Sequence, residues 1–348
     1  MRNDRFKDIG SPAICGRWAG WVAALLATVV VVLLALATGK YGVTLPQATR
    51  VILARLAGTE SGLPQTVEAV VWNVRLPRVL CGLVVGAALA VSGAVYQGLF
   101  RNPLVSPDIL GVSAGASLGA IGGIFLSLPV VAIQGLSFAG GLAAVSLVYA
   151  TGALARGRDP VLVLVLAGIA MGAFLGSAIS LLKVLADPYN QLPAITFWLL
   201  GSLASVTRGD LLSLLPVLLG IVPMVLLRWR MNLMALDDEE ARSLGVETRR
   251  TRLLLIAAAT MMTSAAVSVS GIVGWIGLLV PHMARLVVGP DFSRLLPASL
   301  LLGGCYVVGM DTLARSMADI EIPLGILTAA VGAPFFIWLL IVSRQGWI

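Results

Sequence analysis

The chain has 348 residues, a net charge of +7, 58% hydrophobic residues and only 12% charged ones. Soluble domains carry about 25% charged residues, so this composition excludes an ordinary soluble fold. Its basic residues sit mostly in short loops between apolar runs, which fits membrane orientation rather than nucleic-acid binding.

A membrane-crossing helix needs about 20 mostly apolar residues. The sequence predicts ten such helices, at roughly 18–38, 79–100, 108–128, 130–152, 161–186, 210–229, 251–270, 271–289, 295–314 and 323–343. No small-residue cleavage site follows the first run, so it reads as a retained helix. A further apolar segment, 192–205, is short and reads as a half-helix. The joins at Leu128-Pro129 and Ser270-Gly271 are nearly without loop. The expected architecture is an all-α polytopic membrane protein, a single transmembrane domain over 1–348. Spans two to five and seven to ten form two groups starting on opposite sides of the membrane, the inverted arrangement of many transporters.

With both termini in the cytoplasm, most of the 24 Lys and Arg fall inside, as the positive-inside rule requires. Lys40, Arg50, Arg55, Arg75, Arg78, Lys183, Arg208 and Arg315 fall outside, against the rule. Glycines recur at four-residue spacing, as Gly82-Gly86, Gly111-Gly115-Gly119 and Gly168-Gly172-Gly176. Such ladders let helix backbones approach closely, either within one chain or at a pore or dimer surface.

Three segments carry the informative polar residues. In 72–117, Arg75 and Arg78 flank Pro77. Asn102-Pro103-Leu104 then breaks the helix, and Ser106-Pro107 starts a new one. Broken backbone at membrane depth is tolerated where it is buried or lines a cavity, so the break reads as a gate or as a plain tight turn. In 230–250, Asp237 and Glu240 have capping-box spacing, and Gly245 is a C-terminal stop. Leu236, Ala241 and Leu244 give this short helix an apolar stripe. Lipid-lying helices are usually basic; this one starts acidic, which favours a protein partner. In the third segment, Asp311 and Arg315 share a helix face near the outer end of span nine.

Enzymatic readings fail on inventory. There is a single histidine, His282, and a lone histidine reads as structural. The three cysteines, Cys15, Cys81 and Cys305, lack metal-ligand spacing. No HExxH motif occurs. The lysines Lys7, Lys40 and Lys183 stand outside any phosphate-binding GxxxxGK[ST] loop, so ATP would have to be hydrolysed by a separate chain. A stand-alone ion-coupled transporter would need carboxylates at mid-span, and none is seen. A membrane enzyme would need an acidic metal cluster, and 237–240 sends its acids to different helix faces.

Long segments resemble the FecCD-type permeases of bacterial importers for vitamin B12, iron-siderophores and haem. They are RLPRVLCGLVVGAALAVSGAVYQGLFRNPLVSPDILGVSAGAS at 75–117, MALDDEEARSLGV at 234–246, GWIGLLVPHMARLVVGPDFSRLLPAS at 274–299, and DTLARS with EIPLGILTAAVGAPFFIWLL within 311–340. The resemblance implies a ten-span subunit of the inner membrane that pairs with a second copy. It further implies two ATPase subunits below, holding the ATP and magnesium, and a periplasmic or lipid-anchored substrate-binding protein above. The chain itself would bind no cofactor, metal or nucleic acid. By the same resemblance, Arg75, Arg78 and Arg315 would face acids of the binding protein. Asn102 and Leu104 would form a cytoplasmic gate, with a second contribution at Asp159–Leu162. Leu236, Asp237, Asp238, Glu239, Glu240, Ala241, Arg242, Leu244 and Gly245 would seat in the ATPase, and 187–202 would border the cargo path. Ferric siderophore is the first cargo expected, then haem, cobalamin or an oxyanion such as molybdate.

Overall fold

The computed structural model describes residues 13–154 and 160–342. All regular elements among these residues are helical. They are α1 (Ala13–Ala37), α2 (Leu45–Ala57), α3 (Gln65–Leu99), α4 (Val112–Phe125), α5 (Val130–Leu154), α6 (Pro160–Leu185), α7 (Gln191–Leu200), α8 (Asp210–Met234), α9 (Asp238–Ser243), α10 (Thr248–Ser270), α11 (Ile276–Val288), α12 (Phe292–Ala314) and α13 (Leu324–Val342).

Each of the ten expected stretches contains a helix. Seven are long and apolar enough to cross a membrane, while those of the third, eighth and tenth stretches are shorter. The third begins at Val112 rather than 108. Pro107–Leu110 forms a 3-10 turn, Gly111 takes a left-handed conformation, and only then does α4 start. Ser106 stands in extended backbone before this turn, and its side chain makes no cap hydrogen bond. The two tight joins are real breaks, with positive φ at Ser127 and at Gly271.

Helix α3 is the axis of the bundle. In its apolar window 83% of residues are buried, and 72% in that of α10, against 11% for α1 and 17% for α6. The last two therefore present most of their surface to lipid or to another chain. Close packing rests on glycine, because lipid supplies no hydrophobic force between helices. A Cβ on Gly86 would stand 2.1 Å from the Gly303 carbonyl oxygen, and one on Gly119 would stand 2.1 Å from that of Leu136. The third ladder behaves differently. Gly168 is pressed against the Ile109 carbonyl, but Gly172 and Gly176 face open space.

Contacts follow the inverted pattern. Helix α3 packs on α12 as α10 packs on α5, and α3 meets α11 as α10 meets α4. Helices α4 and α11 occupy equivalent places, and both are short and preceded by backbone that is not α-helical. Near the end where α12 finishes, three glycines lock separate breaks together. Cβ atoms on Gly201, Gly271 and Gly325 would lie 2.3, 2.3 and 2.6 Å from the carbonyl oxygens of Ile272, Trp198 and Leu200. Backbone hydrogen bonds cross the same junction, from Ser202 N–H to the Ser270 carbonyl at 2.8 Å and from Leu324 N–H to the Gly201 carbonyl at 2.9 Å.

Candidate functional site

Charged side chains gather at the two ends of the bundle. At one end, a six-residue π-helical turn, Val70–Arg75, interrupts α3, and such turns concentrate at functional sites. Arg75 ends this turn and Arg78 follows it, and both are buried. Arg75 donates to the carbonyls of Leu36, Ala37 and Tyr41, so it ties the end of α1 to α3. Arg78 forms two bidentate pairs. Its Nε and Nη2 reach Asp311 at 2.9–3.0 Å, and its Nη1 and Nη2 reach Glu321 at 3.1 and 2.8 Å. Side-chain exposure is 7% for Arg78, 4% for Asp311 and 32% for Glu321. Arg315 is also buried, donates to the Ala35 carbonyl and lies 3.7 Å from Asp311. The three arginines expected to face acids of a binding protein are sunk in the chain and held by its own acids and carbonyls. A cation pushed out of water must find such partners. The Arg78 guanidinium holds the Glu321 carboxyl below its ordinary range, against the opposing effect of burial. Exposed cations at this end are elsewhere. Arg208, for example, lies 4.8 Å above the Trp72 ring and donates to the Trp72 carbonyl.

At the other end, the break after α3 and the short helix α9 meet. Arg101 takes a left-handed φ of 49°. Its Nη1 reaches Asp237 at 2.7 Å and its Nη2 reaches Asp238 at 2.9 Å, while Nε donates to the Met234 carbonyl at 3.4 Å. Arg252 of α10 holds Asp238 from the other side at 2.9 Å. Exposure is 35% for Arg101, 83% for Asp237, 33% for Asp238 and 11% for Arg252. These residues border a cavity of about 380 Å³, together with Val161. Of the second gate segment, Asp159 lies outside the described residues, Val161 lines this cavity and Leu162 is exposed.

The expected capping box of α9 does not form. Asp237 stands at the N-cap position, but its side chain makes no cap hydrogen bond; Arg101 takes it instead. The stop is as expected: Gly245 has φ 84°, and Val246 N–H closes onto the Ala241 carbonyl at 3.0 Å. Only Ala241 of the apolar stripe is buried. Leu236 and Leu244 are 39% and 54% exposed, and Glu239, Glu240 and Arg242 are exposed beside them. This short acidic helix therefore presents two exposed leucines.

Asn102 and Leu104 sit directly after Arg101. The Asn102 side-chain oxygen accepts from Leu104 N–H at 2.9 Å, which fixes the turn, and Leu104 is 51% exposed. Sequence reasoning missed Arg101 and Arg252, counting them only as inward charges; an Arg placed immediately before a helix-breaking Asn-Pro was the available signal. It also missed Glu321. His282 is buried in α11.

Membrane-crossing helices packed through glycine make a polytopic membrane protein, and its relatives place it among the permease subunits of ABC importers. The chain belongs to the FecCD transport family, whose model matches residues 26–342. It is 44% identical over 290 residues to the cobalamin import permease of Halobacterium salinarum, covering 83% of this chain and 78% of that one. It is 37% identical over 322 residues to the molybdate import permease of Haemophilus influenzae, covering 92% and 95%. Among solved structures, a metal-chelate type ABC transporter in an inward-facing conformation matches with a TM-score of 0.82 and 35% identity, over 93% of this chain and 98% of that one.

Proposed function

We propose that two copies of this chain enclose the cargo path of a binding-protein-dependent importer, with ATP hydrolysed on two separate subunits seated under α9. Ferric siderophore is the cargo we favour, because the similar solved transporter is described as metal-chelate type; haem, cobalamin and molybdate are the alternatives. The observation carrying this reading is the Arg101 bridge. Its guanidinium joins both acids at the start of α9, and its backbone leads straight into Asn102 and Leu104. Movement of α9 by an ATPase would pull on the gate turn through one side chain. Gly172 and Gly176, left open within the chain, support a second copy against α6. On this reading the Asp237 end and both termini are cytoplasmic, in a bacterial inner membrane.

Arg75, Arg78 and Arg315 would serve docking from beneath the outer face. An acidic group on the binding protein would meet Arg78 only by displacing Glu321. Glu321→Gln should therefore strengthen association with the binding protein, read by titration on reconstituted subunits; unchanged affinity would remove Arg78 from the docking contact. The reading as a whole is tested by vesicle uptake. The chain alone should move no ferric siderophore, and the full set of subunits should move it only with ATP. Uptake by the chain alone on an ion gradient would overturn it.

A further inference from the structure

Asp108 is an acidic side chain outside both ion clusters. It belongs to the 3-10 turn between the gate residues and α4, and it is exposed. The Ser113 hydroxyl donates to its Oδ1, and the Ser106 hydroxyl lies 3.5 Å from its Oδ2. No cation pairs with it among the described residues. It lines a cavity of about 200 Å³ together with Leu104, Ser106, Ser113, Thr263 and Trp275. Thr263 is 1% exposed, and its hydroxyl has no hydrogen-bond partner among the described residues.

Part of the lining lies outside α-helix: Leu104, Ser106 and the 3-10 turn from Pro107 on one side, and Val273 and Trp275 on the other, where Trp275 takes a φ of 72°; α3, α4, α10 and α11 supply the rest. Irregular backbone at this depth is tolerated where it is buried or lines a water-filled space. An exposed carboxylate cannot face hydrocarbon without a cost of several kcal/mol. The space in front of Asp108 is therefore wet, and the unpartnered Thr263 hydroxyl adds a second group that wants a water or a solute.

We propose that Asp108, with the hydroxyls of Ser106, Ser113 and Thr263, forms a negatively charged station on the cargo path directly beside Leu104. It favours cations and hydrogen-bond-donating solutes and disfavours anions. This rests on the reading that Leu104 gates the path. A single fixed charge in a narrow, low-dielectric mouth acts on every solute that passes, because field lines are focused there. Asp108 would thus set which cargo charge leaves easily, while the binding protein chooses the cargo.

The experiment uses the full chain in membranes, with Cys15, Cys81 and Cys305 replaced by alanine and Leu104→Cys as reporter. The probes are two small thiosulfonates of similar size, one bearing a trimethylammonium group and one a sulfonate. At low ionic strength the cationic reagent should react faster relative to the anionic one by at least about fivefold, once both rates are normalised to a free thiol. Asp108→Asn should bring that ratio close to one, and Asp108→Glu should keep it. A ratio near one in the parent chain, or one unchanged by Asp108→Asn, overturns the station while leaving the importer reading standing. Failure of Leu104→Cys to react with either reagent would place Leu104 out of water and overturn the path reading as well.

Discussion

The two charged clusters use similar residues and differ in water. Around Arg78 the side chains are 4–32% exposed, and every guanidinium nitrogen of Arg78 has a carboxylate. Around Arg101 one acid is 83% exposed, and Arg101 itself is 35% exposed. A dry cluster is hard to open, because an orphaned charge would be left inside. A wet one opens at little cost, because water replaces the lost partner. The first suits a joint that holds α1, α3, α12 and the 315–323 turn in register. The second suits a link that must give when α9 is pushed.

The contrast can be broken by truncation. Arg78→Ala should destabilise the chain most, by about 3–5 kcal/mol, because Asp311 is left buried without its cation. The check is thermal unfolding in detergent. Replacing Arg78, Asp311 and Glu321 together by Met, Leu and Gln should recover most of that loss. Asp291→Ala should cost about 1 kcal/mol, since Asp291 caps α12 by accepting from Ser293 N–H at 2.9 Å. The hydrogen bond from Asn232 leads the effects holding the Asp291 carboxyl below its ordinary 3.8. Its stabilisation is therefore complete above that value and fades as pH falls through the lower folded one. Glu321 follows the same sign, so acid should loosen the turn over Arg78, and Glu321→Gln should erase that part of the pH dependence.

Arg101→Ala should lower stability by no more than about 1 kcal/mol. On the proposed reading it should still reduce cargo moved per ATP hydrolysed, measured in vesicles. Unchanged stoichiometry would mean that α9 drives the gate by another route. The smallest expected effect is that of salt. Raising ionic strength to 0.5 M should weaken the Arg101 contacts and leave the Arg78 cluster intact, since screening reaches exposed pairs far more than buried ones.

Most of the fold was legible because membrane helices announce themselves locally, as runs of apolar residues. The short starts of α4 and α11 were less so, since hydropathy continues through non-helical backbone. The sites were half legible. That Arg75, Arg78 and Arg315 violate the positive-inside rule was visible, but their burial was not, because Asp311 and Glu321 lie 233 and 243 residues away from Arg78. Asp237 shows the same limit. Local spacing assigned it to a helix cap, and a guanidinium 136 residues away won it.

Gly201, Gly271 and Gly325 bring three chain breaks within touching distance of one another. Side chains between neighbouring helices can slide by changing rotamer; backbone pressed on backbone has no such slack. The ends of α7, α10 and α13 must then travel as a single rigid corner whenever this protein changes shape. Distances measured between spin labels on those three helices should stay constant through a transport cycle, while distances from any of them to α9 vary.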